Sequence, residues 1–77
     1  MRKVRSKLRK ERLDLRYSMR DISKKTGFSE DYIMKIELGR QNPSLHNAEI
    51  IYDTMRKLGM SPKISLRELF EDDGEKR

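Results

Sequence analysis

Apolar residues recur at helical intervals along the whole chain. Val4, Leu8 and Leu15 share one face at i, i+4 and i+11, with Arg12 filling the i+8 position of the same stripe. That spacing predicts a first helix over about residues 3–15. Ser18 followed three residues on by Asp21 opens a second, about 19–26, with Ile22 and Thr26 inward and Gly27 as its stop. After the turn Gly27-Phe28-Ser29, Ser29 caps a third helix over about 30–38, in which Ile33 and Ile36 face inward and which Gly39 ends. Pro43 bars helix at its predecessor, and Ser44 caps a fourth that carries Leu45, Ala48, Ile51, Met55 and Leu58 and closes at Gly59. Ser65 and Glu68 form a capping box ahead of Leu66, Leu69 and Phe70 in a fifth. No strand-like alternation interrupts the pattern. The expected fold is all-α, a compact bundle of about five short helices in a single domain over 1–71, with 72–77 a frayed tail.

Composition narrows the chemistry. With 34% hydrophobic and 42% charged residues among 77, the core is lean and close to the minimum that folds unaided. There are no cysteines and one histidine, which excludes disulfides, a thiolate nucleophile and a Cys-based zinc site, and no metal cluster is expected. His46 has no clustered carboxylates beside it, so neither an enzyme nor a cofactor is expected. No apolar run approaches the roughly 18–20 residues that span a bilayer. The opening MRKVRSKLRK lacks the apolar centre of a signal peptide, and a cytoplasmic protein is expected, with no membrane partner.

The net charge of +6 is unevenly placed: residues 1–27 hold eleven lysines and arginines against three acids, and 28–77 hold eight against ten. A basic half joined to a mildly acidic one fits a face built to meet an anionic polymer, although a solvated charged surface has the same composition. The short Gly-containing turn between helices two and three can set the second of them at a steep angle, able to enter the roughly 12 Å major groove of DNA. An ordinary helical hairpin shares that spacing.

The residues around the turn add a resemblance. Arg12, Ser23, Gly27, Phe28, Ser29, Ile33, Ile36, Glu37, Gly39, Pro43 and Ser44 stand in the register of one known pattern. In that register, from about Leu8 to Met60, the chain resembles the Cro and lambda-repressor type (XRE-like) of helix-turn-helix DNA-binding proteins, common in bacterial and phage regulators. The helix-turn-helix itself would cover about 18–38. The chain departs from the pattern at Met19, where many members have glutamine, at Leu38, usually polar, and in a fourth helix nearly one turn longer.

The resemblance implies a sequence-specific regulator of transcription, a repressor or Cro-like switch, that binds double-stranded DNA with its third helix in the major groove. Base-reading positions would be Ser29, Glu30, Asp31, Tyr32 and Lys35. Phosphate contacts would come from Ser18, Arg20, Arg40, Gln41 and Asn42, with help from the basic first helix. Arg12 and Glu37 would form an interior ion pair, and Ser23 would be the small residue that lets helices two and three approach. A homodimer through helices four and five is implied, with Ile50, Tyr52, Met60, Ile64 and Phe70 as candidate contacts, and no small-molecule effector is evident. An alternative is a protein-interaction module, such as an antitoxin subunit or a modulator of another regulator, using Glu30, Asp31 and Tyr32.

Those two acids pose a question, because they open the third helix of a basic chain. A carboxylate in a first turn is worth about 0.3–1 kcal/mol against the helix dipole. Either acid can also accept a hydrogen bond from cytosine N4. The remaining possibility is that this helix avoids phosphate and meets a protein.

Overall fold

A computed structural model describes residues 6–70; Val4 and the expected tail at 72–77 lie outside the described residues. Five helices follow in order: α1 (Ser6–Asp14), α2 (Met19–Thr26), α3 (Glu30–Glu37), α4 (Leu45–Lys57) and α5 (Leu66–Phe70). Among the described residues there is no strand.

Each helix commits its apolar stripe to one cluster. Leu8 comes from α1, Ile22 from α2, Ile33 and Ile36 from α3, Ile51 and Met55 from α4 and Leu69 from α5, all buried, together with Met60 from the segment after α4. Half-buried Leu15, Tyr17, Phe28, Tyr52, Ile64 and Phe70 pack around them. The Tyr52 hydroxyl donates to the Ile64 carbonyl at 2.6 Å and so fastens α4 to the segment leading into α5. Met60 is buried, and Tyr52, Ile64 and Phe70 pack against the core, so these residues serve the monomer's own interior.

Serine caps set the helix starts. The Oγ atoms of Ser18, Ser29 and Ser44 accept the N–H groups of Asp21, Tyr32 and Asn47, offsetting the orphan donors of each first turn. At Ser18 the box is reciprocal, since its own N–H donates to Asp21 Oδ2 at 2.9 Å. That bond, with the Ser18 hydroxyl, holds the Asp21 carboxyl below the ordinary carboxylate range. Gly27 ends α2 at φ 87°, and a Cβ there would meet no atom within 4 Å. Backbone conformation alone therefore calls for glycine. The Ser23 hydroxyl donates to the Phe28 carbonyl and latches the turn from below.

Arg12 and Glu37 are 6% and 1% exposed. Arg12 Nε donates to Glu37 Oε2 at 2.7 Å and Nη2 to Oε1 at 2.9 Å, a fork-on-fork geometry. Nη1 donates to the Tyr17 carbonyl at 3.1 Å. The hydrogen bonds with Glu37 raise the Arg12 pKa against the opposing effect of burial. One guanidinium thus joins α1, the α1–α2 turn and the end of α3. In that turn Arg16 has φ 66°, a left-handed conformation that costs an L-residue about 1–2 kcal/mol.

Removing one partner leaves the other charge buried. Arg12→Ala or Glu37→Ala is expected to lower unfolding free energy by about 3–5 kcal/mol, a large share of a small domain's total. Urea titration followed by circular dichroism measures this. Replacing both with apolar residues of similar volume should cost much less than the two single changes added together.

Candidate nucleic-acid interface

Helices α2 and α3 pack on one another across the Gly27-Phe28-Ser29 turn. Ile33, Ile36 and Glu37 bury the inner face of α3. Its outer face presents Ser29, Glu30, Asp31 and Lys35, all exposed. The anchoring is rigid and the outward face is polar, which suits a helix that meets another molecule.

The charged side chains on that face are paired. Lys35 Nζ lies 3.1 Å from Asp31 Oδ2 one turn back on the same helix. Arg20 Nε lies 3.7 Å from Glu30 Oε2, bridging the start of α2 to the start of α3. All four side chains are well exposed, so each pair is worth at most about 1 kcal/mol and exchanges readily for another partner. The two acids therefore do more than complement the helix dipole: each is a weak, exchangeable partner for a cation, one on α2 and one on α3.

Tyr32 sits differently. Its ring packs edge-to-face on Phe28, with centroids 5.1 Å apart, and its hydroxyl accepts from Asn47 Nδ2 at 3.0 Å. It is half-buried and ties α3 to the first turn of α4. The Tyr32 hydroxyl thus already accepts one bond, and its own O–H stays able to donate.

Beyond α3, the N–H groups of Arg40 and Gln41 donate to the Lys35 carbonyl at 2.8 and 3.3 Å. This folds the exposed Arg40-Gln41-Asn42 segment back over the last turn of α3. At the other side Ser18 is exposed as the cap of α2, two residues before exposed Arg20. The Arg20–Glu30 contact brings this α2 start beside the α3 start. Arg12 and Glu37 lie beneath, in the interior.

Two features are absent from the sequence reading. The Asn47–Tyr32 bond joins residues fifteen positions apart, and no local pattern marks such a pair. The left-handed Arg16 carries no signal either, because glycine or asparagine is what usually announces that conformation.

A family model for the helix-turn-helix matches residues 8–69, most of the chain. The chain belongs to this helix-turn-helix family, of the Cro and lambda-repressor type. As a helix-turn-helix protein it is a DNA-binding regulator of transcription, in a family that is not generally enzymatic. No curated protein and no solved structure matches the chain. Among the described residues no helix is long and apolar enough to cross a membrane, and no cluster of ligating side chains could hold a metal ion.

The contact between Tyr32 and α4 can be tested directly. Tyr32→Phe keeps the ring packing and orphans Asn47, so it should destabilise the domain by about 0.5–1.5 kcal/mol. Thermal unfolding monitored at 222 nm measures the difference.

Proposed function

We propose that the protein is a sequence-specific repressor or Cro-like switch that places α3 in the major groove of its operator. The observation that carries this reading is the polar outer face of α3, with Ser29, Glu30, Asp31 and Lys35 exposed on a helix whose inner residues are locked in the core. Lys35 leaves Asp31 to donate to guanine O6 and N7, and Glu30 or Asp31 accepts from cytosine N4. Tyr32 lays its ring edge against a thymine methyl. Ser18, Arg20, Arg40, Gln41 and Asn42 contact phosphates on either side and fix the register. Because each cation on the face has an internal acid to return to, binding at a wrong sequence gains little from charge alone.

One module touches few bases, so the operator is read by two copies whose half-sites lie about 34 Å apart. Among the candidate contacts, Met60 is buried and Tyr52, Ile64 and Phe70 pack partly on the core, whereas Ile50 is half-buried outside it. The surface we assign lies on the same two helices, α4 and α5: a groove with apolar Pro43, Leu45, Ala48, Leu66 and Phe70 and polar Asn42 and Arg67 in its walls. Leu45, in the wall of that groove, is 68% exposed. An exposed apolar patch set against its own copy makes the isologous contact of a two-fold dimer.

Selection of bound duplexes from a random pool tests the reading. Lys35→Ala and Glu30→Ala should each relax preference at one position by about 1–3 kcal/mol. Affinity for the selected duplex should fall about 10³-fold or more between 50 and 200 mM salt. A salt-insensitive partner of protein character would favour an interaction module instead.

The pairing surface has its own test. Leu45→Glu should move the protein toward monomer in sedimentation equilibrium. It should also weaken binding to a two-half-site duplex about tenfold or more while sparing a single half-site.

A further inference from the structure

Wherever the described backbone enters the left-handed region it uses glycine, at Gly27, Gly39 and Gly59, with φ of 87°, 76° and 118°. The exception is Arg16 at φ 66°. Its side chain is exposed, so burial does not call for an arginine there. Among the described residues its guanidinium has no hydrogen-bonding or ionic partner. Glycine would make the same turn without steric cost. A strained residue persists where its surroundings over-determine it, and such residues gather at functional positions.

The surroundings here are unusually firm. The Leu15 N–H donates to the Glu11 carbonyl, the Arg16 N–H to Leu13 and the Tyr17 N–H to Arg12, at 3.0, 3.0 and 3.1 Å. The Tyr17 carbonyl accepts from buried Arg12, whose other nitrogens grip Glu37 at the end of α3. One residue further on, Ser18 starts α2, and Arg20 reaches Glu30 at the beginning of α3. The turn that bears Arg16 is therefore tied firmly to the end of the helix proposed to read DNA, and α2, which follows it, touches that helix's start through a weak exposed pair.

We propose that Arg16 is a further DNA contact, donating its guanidinium to a backbone phosphate beside the groove that α3 enters. This rests on the DNA reading given above. The planar fork of arginine suits a phosphate, and a cation on a pre-ordered backbone loses little freedom on binding. The strain at this position is retained because glycine cannot supply the charge. Phosphate contact makes the contribution independent of base sequence.

Arg16→Gly and Arg16→Lys, measured beside wild type on the selected duplex over a range of salt, decide the matter. Arg16→Gly should melt roughly 2–5 °C higher, since it relieves strain while loosening the unfolded chain. It should bind several-fold more weakly, with a salt slope shallower by about one per bound copy and an unchanged selected motif. Arg16→Lys should keep the wild-type slope and most of the affinity. Unchanged affinity and slope in Arg16→Gly would overturn the contact. An equal loss in Arg16→Lys would place the effect in the backbone, and an altered motif would make Arg16 a base reader; either result refutes the assignment. If wild type itself binds no duplex in dilute buffer, the DNA reading falls first and this inference with it.

Discussion

The fold turns on a guanidinium and a carboxylate taken out of water together. Burying either alone would be prohibitive, and burying both is tolerable only with a close partner and further hydrogen bonds. Arg12 meets that demand with two bonds to Glu37 and one to the Tyr17 carbonyl. A pair of leucines could match the stability, but they would have no preferred direction. The ionic fork fixes where α3 ends relative to α1 and holds the intervening turn at a set distance. In a domain whose core is a single small cluster, this directional contact does what a larger interior would otherwise do by shape.

Charge is arranged differently on the outside. The buried pair is locked, whereas Arg20–Glu30 and Lys35–Asp31 are exposed and interchangeable. The contrast follows from dielectric: the same attraction that is strong in the interior is weak at a solvated surface. A basic chain can thus carry a nearly neutral outer face on α3; in the proposed function, cations elsewhere supply long-range attraction and short-range bonds supply discrimination. That arrangement answers why acids open α3.

Much of this was legible beforehand because the signals were local. The four serine caps, Gly27 and the i, i+4 stripes each act within one helix, and α2 starts and ends where Ser18 and Gly27 place it. Arg12 was visible as a polar residue on an apolar stripe, and its pairing with Glu37 was implied only by the family resemblance. What stayed hidden depends on packing between distant segments. The Tyr32 hydroxyl looks available in the sequence, yet α4 supplies Asn47 to meet it. Tyr52, Met60 and Ile64 look surplus until the segment after α4 folds back and uses them. Leu13, by contrast, is 49% exposed on α1 and takes no part in the core.

The bond between Tyr32 and Asn47 has a wider consequence. Leu45 and Asn47 sit two residues apart at the start of α4, one turned to solvent and the other gripping the α3 tyrosine. A body seated against Leu45 would press on the same helical turn that steadies Tyr32. In the proposed function, pairing at Leu45 and groove entry beside Tyr32 load one helical turn, and any coupling between them acts equally in both directions.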